Sequence, residues 1–175
     1  MILETKRLTL REMNAEDFVD LCEILQDKEV MYAYAHAFSD QEVWAWLEKQ
    51  QKRYHQDGFG LWAVILKETG EMVGQCGLTM QEIGRKAPVI EIGYLLKKAH
   101  WHKGYAIEAA RACKVYAFVQ LGVREVFSII RDNNYPSQRV AQRNGMSVRG
   151  RFIKHYYGID MPHLVYSVLS EMDKK

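Results

Sequence analysis

The sequence predicts an α/β (α+β) protein whose mixed, mostly antiparallel sheet has six or seven strands and is flanked by helices. Apolar runs and alternating patterns typical of strands outnumber segments whose apolar residues recur every three or four positions, as in helices. The helical segments also do not alternate regularly with the strands, as they would in a doubly wound parallel fold. We therefore expect long stretches of strand that pair with their neighbours in sequence.

The composition is that of one globular domain. The chain has 175 residues, of which 48% are hydrophobic and 26% charged, so one core can form, and we expect a single domain over residues 1–175. A net charge of +2 is too balanced to predict a nucleic-acid partner. No apolar run approaches the ~18 residues of a membrane span, and no signal peptide is apparent. The three cysteines are widely spaced, which indicates reduced thiols in a cytoplasmic protein.

The N-terminal half predicts a strand, two helices and a hairpin. The segment "KRLTLREM" alternates apolar and charged residues, which indicates a half-buried strand. Asn14 is placed to cap a first helix, and Ser39 with Glu42 forms a capping box for a second. Two apolar runs then flank Glu68-Thr69-Gly70, which predicts a β-hairpin.

The C-terminal half predicts four more strands and two helices. "PVIEIGYLL" (88–96) is nearly apolar on both faces, as expected of a strand in the middle of a covered sheet. A helix follows Gly104, and "EVFSIIR" predicts another buried strand. Pro136 opens a short helix that Gly145 ends. "SVRGRFIKHYY" and "HLVYSVLSEM" predict a closing pair of strands.

The stretch "HWHKGYAIEAARA" (100–112) joins a buried strand to the N-terminus of a helix. Such a terminus leaves up to about four backbone N–H groups unpaired at the positive end of the helix dipole, where an anion such as phosphate can bind. Gly104 and Ala106 would allow close approach, and no nucleotide-binding glycine motif competes. His100 and His102 lack further ligands at metal spacing, so we predict no metal site. From the residues alone, the junction is either an anion site or an ordinary glycine turn.

Two further positions have both a structural and a catalytic interpretation. Glu91 is a single acid within an apolar strand, so it is either ion-paired or tuned by burial as a general base. Asn134 and Ser137 bracket a helix start, where capping is the commoner role of such residues.

Taken together, these segments resemble the GNAT superfamily of acyl-CoA N-acyltransferases, and most closely its RimJ/RimL branch of ribosomal-protein N-terminal alanine acetyltransferases. The resemblance spans nearly the whole chain, from "ETKRLTLREM" through "EIGYLLKKAHWHKGYAIEA" and "NYPSQRVAQRNGM" to "HLVYSVL". The superfamily motif Q/R-x-x-G-x-G/A corresponds to residues 101–106, where Trp101 replaces the usual Gln or Arg. A tyrosine common in the later helix is replaced by Ala141.

The resemblance implies a single GNAT-like domain whose sheet splays between the strands near 90–96 and 125–131, with acetyl-CoA in the gap. It implies that Glu91 is the general base, and that Ser137 is the acid or a hydrogen-bond donor to the leaving sulfur. A backbone N–H near Leu95 would polarise the thioester carbonyl. The predicted acetyl-CoA-binding residues are Leu95, Leu96, Lys97, His102, Lys103, Gly104, Tyr105, Ala106 and Asn134.

The acceptor is predicted to be an amine. The aromatic segments 31–38 and 154–163 lie where this branch lines its acceptor cleft, so Tyr32, Tyr34 and Tyr157 are substrate-binding candidates, with simple packing as an equal alternative. An α-amine, with a pKa of about 7.7–8.0, is deprotonated more easily than lysine, with a pKa of about 10.4, which favours a peptide N-terminus. The alternatives are a small-molecule amine acetyltransferase and a non-catalytic CoA-binding module. We expect a monomer or homodimer.

Overall fold

The computed structural model describes residues 1–156 and 158–171. They form one open, eight-stranded sheet in the order β1-β2-β3-β4-β5-β6-β8-β7, with helices on both faces. The strands are β1 Leu3–Glu4, β2 Leu8–Arg11, β3 Leu61–Leu66, β4 Met72–Gln81, β5 Val89–Leu96, β6 Glu125–Arg131, β7 Ser147–Tyr156 and β8 Ile159–Leu169, and the helices are α1 Phe18–Leu25, α2 Asp40–Gln56, α3 Tyr105–Val119 and α4 Tyr135–Arg143.

The mixed, mostly antiparallel sheet confirms the predicted fold class, although it has one strand more than the six or seven expected. The additional strand is β1, which pairs with β2 through two residues only. Two residues are too few to produce an alternating pattern, so the sequence contains no signal for this strand. Among the described strands, only β5 and β6 are parallel to each other.

The helices divide the core into two layers. On one face of the sheet, α1 and α2 bury apolar side chains against β3 and β4, among them Leu21, Val43 and Ala63. On the other face, α3 and α4 pack small residues such as Ala109 and Ala141 against the sheet. Because each side chain of a strand points to the face opposite its neighbour's, odd-numbered and even-numbered residues of β5 contribute to different layers.

The helix starts predicted from short-range patterns are confirmed. Asn14 caps a single 3₁₀ turn that leads directly into α1. Ser39 and Glu42 form the predicted capping box of α2. Hydrogen bonds from the backbone of Ser39 and from His36 lower the pKa of Glu42 to about 2. The charged carboxylate is therefore the form that fits this helix terminus.

The predicted splay of the sheet is confirmed between β5 and β6. The two strands share a single residue pair, Glu91 with Phe127. Beside that pair, the Ser128 hydroxyl donates to the Ile92 carbonyl at 2.9 Å, and the Ile129 N–H donates to Glu91 Oε1 at 3.0 Å. Side chains thus take over part of the ladder before the strands separate.

The last hairpin places β8 between β6 and β7. β8 begins four residues before the predicted strand, and it includes Pro162. This proline lies beyond the last pair of β6 with β8, Arg131 with His163, so β6 requires no hydrogen bond from it. Within the described residues, no helix has both the length and the apolar character to cross a membrane.

Candidate functional site

A cavity of about 240 Å³ opens where β5 and β6 separate. Glu91, Gly93 and Leu95 line it from the face covered by α2, whereas Asn134 and Ser137 line it from the region of α4 on the opposite face. The cavity therefore passes through the sheet, and a group at its centre is accessible from both faces.

Glu91 lies on β5 at the point of separation and retains a partly accessible surface towards the cavity. Its Oε1 accepts the Ile129 N–H, and its Oε2 is 3.4 Å from the Thr79 hydroxyl. Burial raises the pKa of Glu91 above its ordinary value, against the opposing effects of the Ile129 N–H and the nearby charges of Lys154 and Arg53. A carboxylate with a raised pKa is a stronger base than one in water.

Ser137 lies in the first turn of α4 and is fixed by its backbone. The Asn134 side chain accepts the Ser137 N–H at 3.2 Å, so Asn134 has the capping role that the sequence suggested as an alternative. The Tyr94 hydroxyl donates to the Ser137 carbonyl at 2.8 Å. With both backbone groups bonded, the orientation of Ser137 beside the cavity is determined by β5 and by the cap of α4.

The loop before α3 has the backbone conformation of an anion-binding turn. Gly104 has φ of +80° and His102 has φ of +60°, a region that favours glycine. Arg7 anchors this loop, because its Nη1 donates to the Lys103 carbonyl at 2.9 Å and its Nη2 is paired with Glu108 at 2.7 Å. The first-turn amides of α3 beyond Gly104 have no acceptor within the helix.

The end of β5 presents backbone groups to the gap at alternate residues. Lys97 N–H donates to β4 at Val73, while the Ile92 carbonyl accepts from β6. By this alternation the backbone of Leu95 faces β4, and the backbones of Tyr94 and Leu96 face the gap. The Leu95 side chain lines the cavity.

Lys97 is held away from the gap by acidic side chains. Its ammonium is 2.6 Å from Asp20 and 2.7 Å from Glu23. Burial alone would lower the pKa of Lys97, but the hydrogen bonds to these carboxylates outweigh it, and the pKa is raised. The Lys97 N–H donates to the Val73 carbonyl and the Lys97 carbonyl accepts from the His100 N–H, so the backbone of Lys97 is also bonded within the protein.

The aromatic candidates occupy different places. Tyr34 lines the cavity and meets Trp46 edge-to-face, with ring centroids 6.5 Å apart. The Tyr32 hydroxyl instead donates to Asn134 Oδ1 at 2.7 Å, a contact that links the segment before α2 to the start of α4. Tyr157 lies outside the described residues.

Several cavity residues were not identified from the sequence, and three of them bear on the chemistry of the site. Lys49 and Arg53 are one helical turn apart on α2 and line the cavity from the Glu91 face. His163 on β8 lines it too; its Nδ1 is 2.8 Å from the Met161 carbonyl, and burial lowers its pKa. A neutral ring that donates from Nδ1 leaves Nε2 as an acceptor. The i, i+4 spacing of Lys49 and Arg53 was visible in the sequence, but which face of the helix meets the cavity was not.

Comparison with known proteins identifies the family of this chain. Residues 7–147 match the family described as the acetyltransferase (GNAT) domain. The uncharacterized N-acetyltransferase p20 of Bacillus licheniformis is 33% identical over 168 residues, covering 88% of this chain and 92% of that protein. An acetyltransferase from Agrobacterium tumefaciens, solved as a crystal structure, is 28% identical and superposes with a TM-score of 0.80 over 96% of this chain and 94% of its own.

A further solved structure has the same fold at lower sequence identity. It is RimL, the ribosomal L7/L12 α-N-protein acetyltransferase, in complex with coenzyme A. It is 18% identical, with a TM-score of 0.80 over 98% of this chain and 99% of its own.

Proposed function

The chain belongs to the acetyltransferase (GNAT) family, and on that premise we propose that it transfers the acetyl group of acetyl-CoA to the α-amine of a peptide N-terminus. The observation that carries this proposal is the cavity through the sheet, which brings Glu91 and Ser137 to one space from opposite sides. Acetyl transfer to an amine needs a base on the side of the amine and a proton donor on the side of the leaving thiol.

The residues around the gap fit acetyl-CoA, which supplies a thioester as the acetyl donor. The amides of the first turn of α3 and the loop at Gly104 are suited to the pyrophosphate. The gap-facing backbone of Tyr94 and the N–H of Leu96 provide hydrogen-bonding groups for the pantetheine arm, as an adjacent strand would, whereas the Leu96 carbonyl already accepts from Trp101 Nε1 at 3.0 Å. One of these N–H groups is suited to polarising the thioester carbonyl.

We assign Glu91 as the general base. Its Oε1 is already bonded to Ile129, so Oε2, with only a long contact to Thr79, has the capacity to accept a proton from the amine or from an intervening water. Its raised pKa increases its basicity. His163 is the second candidate base, because its ring favours the neutral form and lines the same cavity.

We assign Ser137 as the group that stabilises the departing sulfur or donates to it. The position that carries a tyrosine in many relatives is Ala141, whose side chain is buried and has no proton to donate. Ser137 is the hydroxyl of α4 that lines the cavity, and its backbone is fixed on both sides.

A peptide α-amine is favoured over lysine because it requires less of the base. The fold shared with RimL supports this substrate class, and Tyr34 and Trp46 give the acceptor side an apolar wall. The second hypothesis is an enzyme that acetylates a small-molecule amine, and the third is a CoA-binding module without catalysis.

Release of free thiol from acetyl-CoA, measured across a panel of amines, tests the proposal. We expect turnover with peptides that have free Ala or Ser termini, and none with the same peptides blocked at the terminus and carrying an internal lysine. Glu91→Gln and Ser137→Ala should each lower kcat. Turnover of polyamines or aminoglycosides without any peptide would identify a small-molecule enzyme, and binding of acetyl-CoA without any turnover would identify a non-catalytic module.

A further inference from the structure

The half of the cavity that faces α2 is strongly cationic. Four basic side chains line the cavity within the described part of the chain, whereas Glu91 is the one carboxylate there. Lys49 and Arg53 come from α2, and Arg131 and Lys154 come from β6 and β7. Across the strands, Arg131 pairs with His163 and Lys154 pairs with Met161, and both partners lie on β8 two residues apart. Paired residues point to the same face, so the side chains of Arg131 and Lys154 share the face of the sheet that carries Glu91.

Arg53 and Lys154 are close enough to Lys49 to disfavour its charged form. Burial lowers the pKa of Lys49, and the charges of Arg53 and Lys154 lower it further. Burial also lowers the pKa of Arg53, although Asp57 and Glu91 act in the opposite direction. Like charges that are partly removed from water raise the free energy of the site until an anion enters it.

The donors of the α2 pair are only partly used by the protein. Among the described residues, Arg53 donates one hydrogen bond, to Gln50 Oε1 at 3.2 Å, out of the five N–H groups of a guanidinium. Among the described residues, Lys49 makes no ion pair. An ammonium and a guanidinium one helical turn apart form a suitable receptor for a carboxylate or a phosphate.

Two other roles for this cluster fit less well. Among the described cavity residues, Glu91 is the one carboxylate, and its single charge is smaller than the combined charge of Lys49 and Arg53. The phosphates of acetyl-CoA are assigned to the N-terminus of α3, a helix that packs on the opposite face of the sheet from α2. The acceptor is the remaining ligand that enters from the α2 face.

We propose that the acceptor is an amine that also carries an anionic group, with Lys49 and Arg53 binding that group while the amine lies beside Glu91. This inference rests on the proposed N-acetyltransferase function and narrows its substrate class. The anionic group is either an acidic side chain next to a peptide N-terminus or the carboxylate or phosphate of a small amine.

The test compares matched acceptors on the wild-type protein. The pairs are peptides beginning Ala-Asp and Ala-Asn, 4-aminobutyrate and its amide, and phosphoethanolamine and ethanolamine. We expect kcat/KM to be at least about tenfold higher for the anionic member of the pair that matches the true source, since a charge-assisted hydrogen bond contributes that much. The pair with the larger ratio distinguishes a peptide from a small molecule.

Substitutions on α2 then test whether Lys49 and Arg53 bind the anionic group of the acceptor. Arg53→Gln and Lys49→Gln should each reduce the anionic-to-neutral ratio by about tenfold without changing the KM for acetyl-CoA. Lys52→Gln, at an exposed position of the same helix, should leave the ratio unchanged. Equal kcat/KM for both members of every pair would overturn this inference and leave the acetyltransferase assignment intact, whereas failure of all amines to react would overturn both.

Discussion

Replacing Ser128 by alanine removes one of the two side-chain hydrogen bonds that join β5 to β6. Ser128 is 2% exposed, and its hydroxyl donates to the Ile92 carbonyl at 2.9 Å. A buried neutral hydrogen bond contributes about 0.5–1.5 kcal/mol, and a carbonyl left without a donor costs about 1–3 kcal/mol. We expect Ser128→Ala to lower the free energy of unfolding by about 1–2 kcal/mol, because the cavity beside Ile92 allows water to replace part of the lost bond.

Thermal and urea unfolding followed by circular dichroism measure this effect. For a chain of this length, each kcal/mol corresponds to about 2–4 °C in Tm, so a decrease of about 2–8 °C is expected, with an unchanged urea m-value. Ser147→Ala is the control, because Ser147 is an exposed serine on β7. If Ser128→Ala were as stable as the control, the hydroxyl would not hold β5 and β6 together and the reasoning would be wrong.

Three more predictions address the loop, the base and the sheet. Acetyl-CoA should raise the Tm of wild type and of Ala106→Gln but not of Ala106→Glu, because only the glutamate repels phosphate, while a negative charge in the first turn is compatible with the helix itself. If acetyl-CoA still raised the Tm of Ala106→Glu, the loop would not be part of the cofactor site. Burial raises the pKa of Glu91 in the folded state, so Glu91→Gln should be as stable as wild type below about pH 4.3 and increasingly more stable than wild type as the pH rises through the folded-state pKa. Urea unfolding at both pH extremes measures the difference, and a variant that is more stable only at low pH would contradict this sign. Gly77→Ala should cost about 3 kcal/mol, because its Cβ would lie 2.0 Å from the Gly60 carbonyl oxygen, whereas Gly150→Ala, with no atom within 4 Å of its Cβ, should be nearly neutral in the same unfolding assay.

The features that sequence predicted well depend on neighbours along the chain. Ser39 and Glu42 are three residues apart, and the turn at Gly104 depends on the local φ angle, so both patterns carry their own structural information. The separation of β5 from β6 was expected from a family resemblance, and in the structure the strands separate beside two side-chain hydrogen bonds, of Ser128 and of Glu91, that still join them.

The features that sequence did not predict depend on contacts between distant segments. Lys49 and Arg53 have the spacing of any exposed helical pair, and only the packing of α2 against β3 and β4 places them beside the same cavity as Glu91. In the sequence, His163 is one polar residue in an apolar strand, and only the structure shows that its ring is bonded to the Met161 carbonyl and lines the cavity. The strand β1 owes its conformation to β2 and has no pattern of its own.

The gap between β5 and β6 gives the sheet two strand edges in its interior. Unpaired strand edges are templates for association between chains, and proteins commonly protect them with charge, proline or irregular backbone. Here the protection is by location, because α2 covers one side of the gap, α4 lies at the other, and the Tyr32–Asn134 hydrogen bond links the segments beside it. A strand from a second protein would have to pass α2 or α4 before it could pair with either edge.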